Sequence, residues 1–184
     1  MAKSPDPSLP LTSLAGTTRT LDDWSTMFHL ALIVLPDKPQ GSAFLPLVRK
    51  IYGLFGDSDC RCSIVVPSTP AITKRILGGL EQDVLTFVDP DRALVSSLAL
   101  SQLPAFVHLR QDTSLVDAAE GWDLDAWQRV TNGLTAAMQW GRLDLGMAGG
   151  PVRPTAWQSD PDSYSAWRYT RRTWRDSTAA RLAD

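Results

Sequence analysis

Ser101-Gln102-Leu103-Pro104-Ala105-Phe106-Val107-His108-Leu109-Arg110-Gln111-Asp112-Thr113-Ser114-Leu115-Val116-Asp117-Ala118-Ala119-Glu120-Gly121 carries the topology of this chain. Residues 105–109 and 115–119 are apolar runs, and the polar residues 110–114 join them as a hairpin turn. Gly121 stops the second run. Asp123 then stands where a helix N-cap belongs, and the spacing predicts a helix over 124–140. Its inward stripe is expected to be Trp127, Val130, Leu134, Ala137 and Met138.

Working back toward the N-terminus, strands and helices alternate. A helix is predicted over 90–100 and a strand over 84–88. A further helix opens at Ser68-Thr69-Pro70 and closes at Gly78-Gly79. A strand is predicted over 63–66, after a helix over 42–55 with Phe44, Leu47, Val48, Ile51 and Leu54 at helical spacing. The continuous apolar run 30–35, ended by Pro36, reads as a strand buried on both faces. A short helix over 20–28 precedes it, with Thr20 as N-cap and Asp22 and Asp23 in its first turn. Residues 1–19 are rich in Pro, Ser and Thr and read as a flexible N-terminal segment. The order β-α-β-α-β-α-β-β-α predicts an α/β domain over 20–140, its mixed sheet parallel at first, antiparallel at one edge and flanked by helices.

Bulk composition narrows the function. The chain has 184 residues, 43% hydrophobic and 21% charged, with a formal net charge of −2. That balance argues against nucleic-acid binding, which needs a strongly basic surface. Residues 1–150 hold 12 Lys/Arg and 16 Asp/Glu, a net of −4, whereas 151–184 hold 6 Arg and 4 Asp, a net of +2. No run approaches the ~20 apolar residues of a membrane-spanning helix, and no secretory leader is legible at the start. The two cysteines both lie in Cys60-Arg61-Cys62, so no disulfide framework is expected and a cytoplasmic location fits.

Three features resemble the thioredoxin fold in its TlpA-like and peroxiredoxin-like form. The first is Val88-Asp89-Pro90-Asp91, a short helix and then Ser101 to Val107. The second is the hairpin ending at Gly121, and the third is Phe44-Leu45-Pro46 in the first long helix. The resemblance spans about residues 20–140. It implies that Pro104 is the family's cis-proline, whose preceding backbone pairs with an extended segment by strand addition. It also implies that Pro46 sets the register of the active-site loop. The two cysteines of the family's CxxC motif then fall on Lys38 and Gly41, and the loop reads Lys38-Pro39-Gln40-Gly41. Thiol exchange needs a thiolate and a resolving thiol, and this loop has neither. Lys38 is either a solvated loop lysine or a holder of an acidic group near the helix N-terminus.

Cys60 and Cys62 form a CxC pair that supplies at most two metal ligands, so no metal or other cofactor is expected. His29 and His108 open one strand and close another, and nothing in the sequence places them near Cys60. Cys62 reads as a small buried residue and Cys60 as exposed in a loop. The alternative is a regulatory disulfide between the two. No GxSxG, Walker loop, GxGxxG or HExxH occurs, so no catalytic residue is assigned.

Residues 141–156 read as a linker, and 157–184 as a C-terminal extension of different chemistry. Trp157, Tyr164, Trp167 and Trp174 lie there among Arg168, Arg171, Arg172 and Arg175, with Leu182 the sole aliphatic residue. Asp160-Pro161 is a helix start, and Tyr164, Trp167, Arg171 and Trp174 would share one side of that helix. Aromatic residues and arginine are the types enriched at interface centres. The extension is expected to dock on a larger protein or multi-subunit complex; folding back on the domain, or disorder, are the alternatives. The leading expectation is a redox-inactive thioredoxin-like protein acting as an accessory subunit or assembly factor. The alternative is a thiol-disulfide oxidoreductase or peroxidase using Cys60 and Cys62.

Overall fold

The structure is a computed structural model that describes residues 1–55, 58–138 and 157–158. Its central sheet has seven strands: β1 (Pro10–Ser13), β2 (Thr18–Thr20), β3 (His29–Val34), β4 (Cys60–Val66), β5 (Leu85–Val88), β7 (Ala105–Leu109) and β8 (Leu115–Glu120). Their spatial order is β2-β1-β5-β4-β3-β7-β8. β3, β4 and β5 are parallel, and β1, β2, β7 and β8 run antiparallel to their neighbours. A separate pair joins β6 (Gln102–Leu103) to β9 (Trp157–Gln158).

Among the described residues five α-helices flank the sheet: α1 (Leu21–Ser25), α2 (Leu45–Phe55), α3 (Pro70–Leu77), α4 (Ala93–Ser97) and α5 (Leu124–Ala137). The strands leave one apolar layer on each side. Ala31, Ile33, Ile64, Val66 and Phe106 face α2, α3 and α5. Leu30, Leu32, Val34, Val65, Phe87 and Val107 face α1 and α4. This is why 30–35 reads as an unbroken apolar run: β3 is central, and both its faces are covered.

Several helix ends are as the residues predict. Thr20 caps α1 in a reciprocal arrangement with Asp23. The Asp123 side chain accepts from the Ala126 backbone N–H at 2.7 Å and opens α5. Gly121 has φ of 72°, a conformation that stops β8 at little cost only for glycine.

Elsewhere the structure corrects the expectation. Residues 1–19, expected as one flexible segment, include strand β1 and the start of β2. β1 and β2 form a hairpin that extends the sheet beside β5. Leu11 is buried, and its carbonyl accepts from Trp24 Nε1 at 3.0 Å. A strand of four residues whose two buried side chains are Leu11 and the small polar Ser13 has too short a pattern to be legible. The helix expected over 90–100 shrinks to α4 because Asp89 Oδ2 accepts from the amides of Leu94 and Val95 and so sets its start. Ala99, with φ of 54°, lies just beyond its end. The helix over 42–55 is a 3₁₀ turn at Pro39–Phe44 running into α2. The stripe of α5 is Trp127, Val130, Thr131, Leu134 and Thr135; Ala137 is exposed and Met138 only half-buried.

Candidate functional site

The parallel strands end together at one corner, the place where open α/β sheets bind ligands. Val34 lies opposite Ala105 across β3 and β7, so Pro104 stands at the same end of the sheet as the loop after β3. The Leu103–Pro104 peptide bond is cis. Lys38 is the extended residue that opens the 3₁₀ turn, and Gly41 N–H closes back on the Lys38 carbonyl at 2.9 Å. Asp37 and Arg92 are paired beside it at 3.0 Å.

Gly41 is packed without slack. A Cβ there would lie 2.7 Å from the Pro36 carbonyl oxygen and 3.2 Å from Ile76 Cγ2. A side chain of any kind requires the Pro36 backbone to move. Gln40 Oε1 is buried with no hydrogen-bond partner among the described residues.

The two cysteines lie at the other end of the sheet. Cys60 pairs in register with His29, five residues along β3 from Val34. At ~3.3 Å per residue, that separates Cys60 from the corner by about 16 Å. Cys60 is not the exposed loop residue the sequence suggests. It begins β4 and is 4% exposed, with Cys62 at 6%. Residues i and i+2 of a strand share a face, and both side chains enter the layer beneath α2. The Cys60 thiol, hydrogen-bonded to Cys62, and then burial push the Cys62 thiol well above its ordinary range. Cys62 is therefore a protonated thiol at neutral pH, a poor nucleophile.

The histidines also depart from expectation. His29 is the register partner of Cys60, and its Nδ1 meets His108 Nε2 at 2.8 Å. His108 is 1% exposed, and its Nδ1 has no partner among the described residues. Burial first, then the charges of His29 and Arg110, push His108 down to about 4 against the opposing pull of Asp117. Asp117 itself is held in a two-point pairing by Arg129, at 2.9 and 3.0 Å. Among the described residues no group of three or more His, Cys, Asp or Glu stands in metal-binding geometry.

No protein-family profile and no curated protein matches the chain. Solved structures do. Peroxiredoxin Q of Xylella fastidiosa superposes with a TM-score of 0.61 at 15% identity, covering 74% of this chain and 96% of that one. The thioredoxin domain of a thiol-disulfide oxidoreductase from Bacteroides vulgatus gives 0.57 at 14%, covering 73% and 97%. A secreted disulfide oxidoreductase of Mycobacterium tuberculosis gives 0.55 at 14%, covering 71% and 96%. The fold is thioredoxin-like.

On this thioredoxin-like frame, sulfur and the corner are separate. The loop after β3 holds Lys38, Pro39, Gln40 and Gly41, and the cysteines sit at the opposite end of the strands. One juxtaposition was not legible in the sequence. The backbone of Trp157, first residue of the expected docking segment, lies opposite Leu103, the residue before Pro104. Tyr164, Trp167, Arg168, Arg171, Arg172, Trp174 and Arg175 lie outside the described residues, as do 141–156. Among the described residues no helix is long and apolar enough to cross a membrane. The His29–His108 and Asp37–Arg92 pairs have no local signal, because each joins residues far apart in sequence.

Proposed function

We propose that this thioredoxin-like chain binds an extended polypeptide along β6 and performs no thiol exchange at the Lys38–Gly41 corner. It would serve as an accessory subunit or assembly factor of a larger protein complex, in a reducing cytoplasm that suits its two free cysteines. The carrying observation is Gly41. The corner has no sulfur, and the Pro36 carbonyl leaves no room for a side chain at that position. Binding at β6 is supported by its main chain, which pairs with an extended strand, β9, outside the central sheet.

A thiol-disulfide oxidoreductase or peroxidase is the second reading, favoured by the activities named for the structural neighbours. Shared fold does not carry activity by itself. The burial of Cys60 and Cys62, and their distance from the corner, weigh against it.

Insulin reduction with dithiothreitol separates the two readings. The wild-type chain is expected to add nothing to the uncatalysed rate. The double variant Lys38→Cys/Gly41→Cys is also expected to stay inactive, because Cβ at 41 collides with Pro36. Turnover by the wild type that disappears in Cys60→Ser or Cys62→Ser would establish the second reading instead.

A further inference from the structure

β6 is a two-residue strand with no neighbour in the seven-stranded sheet. Its start is held from the β8 side. Glu120 Oε2 accepts from the Ser101 backbone N–H at 2.7 Å and from its hydroxyl at 2.6 Å. Its other side pairs with β9, with Gln102 opposite Gln158 and Leu103 opposite Trp157. A strand edge accepts one neighbour, because antiparallel pairing uses the main-chain donors and acceptors that face it.

We propose that residues 157–158 are a resident occupant of the β6 edge, so that an incoming polypeptide binds there only by displacing the chain's own C-terminal segment. This rests on the edge-docking reading above and adds the control of that site. A tethered strand competes at an effective concentration on the order of millimolar. The pairing covers only two residues a side. It is therefore weak enough for a longer strand with additional pairing to displace. The cost to a competitor is the fraction of time the edge is closed. The partner chemistry that fits is an unfolded or extended peptide recognised through its main chain, not a folded surface.

The test uses the full chain carrying Trp157→Pro and Gln158→Pro. Proline supplies no main-chain N–H and cannot pair within a strand. Amide hydrogen exchange at Leu103 is expected to speed up about tenfold over the wild type, the worth of roughly one lost hydrogen bond, while Gln102, whose N–H is held by Glu120 on the other side, serves as the internal control. A synthetic peptide with the sequence of residues 151–165, added in trans, should return the slow exchange to the variant. It should bind the variant about tenfold more tightly than the wild type. Unchanged exchange in the variant overturns the resident-occupant inference. Equal peptide affinity for variant and wild type likewise overturns it, while leaving edge docking intact. Faster exchange that the peptide cannot reverse at millimolar concentration overturns edge docking itself.

Discussion

Lowering the pH from 7 to 4 is expected to remove about 3 kcal/mol of folding stability through His108, at about 1.36 kcal/mol per pH unit of displacement. Burial, His29 and Arg110 push this histidine from the ordinary 6.5 down to about 4. Above pH 6.5 neither the folded nor the unfolded chain holds the proton, and stability is whole. Between 6.5 and about 4 the unfolded chain takes it up and the native state refuses it, so stability falls. Below that both carry it, and the loss levels off. Asp6 and Asp112, lowered by hydrogen bonds from Ser8 and Ser114, and Glu120, which burial raises but hydrogen bonds from Ser101 lower on balance, have their effect mainly at pH 4.5 and below and leave most of the window from 6.5 to 4.5 to the histidine. Urea midpoints at pH 7, 5.5 and 4.5 should decline steadily in the wild type and stay nearly flat across that window in His108→Phe. An equal decline in both proteins would remove His108 as the cause.

Trp127→Ala is expected to cost about 4 kcal/mol, within the range for deleting a large buried aromatic side chain. Trp127 is fully buried at the start of α5. Its ring stands 5.3 Å from both Phe106 and Trp122, tying the helix to β7 and to the turn after β8. Its Nε1 donates to the Gly121 carbonyl at 2.9 Å, so truncation also leaves a buried acceptor unpaired. Trp127→Phe keeps most of the volume and loses the donor, and should cost about 1–2 kcal/mol. Equilibrium urea unfolding of the three proteins gives the comparison, with the slope checked for constancy. A loss below about 1 kcal/mol for the alanine variant would mean the surrounding layer collapses into the space or does not need the ring.

The residues that were legible are those whose neighbours in sequence share their environment. The runs 30–35, 63–66 and 105–109 are buried on both faces, and their apolar continuity announces central strands. Thr20 and Asp123 act within three residues of themselves, so their capping roles follow from local chemistry. β1 was not legible: its buried apolar side chain, Leu11, gains its burial from Trp24 and from strand β5, neither of which its own pattern specifies. Cys60 was misjudged for a related reason. Residues 58–59 around it are polar, and its burial comes from the layer beneath α2.

The same division holds for the candidate site. The alternation of elements, the absence of sulfur from the loop after β3 and the candidate role of Pro104 came from the sequence, because order along the chain and residue identity are local facts. Tertiary structure alone decided that the Pro36 carbonyl fills the space beside Gly41, that His29 meets His108, and that β9 lies along β6. Each of these joins elements brought together by packing or by strand pairing. The free energy of such contacts depends on the register of the whole sheet, and no short stretch of residues encodes that register alone.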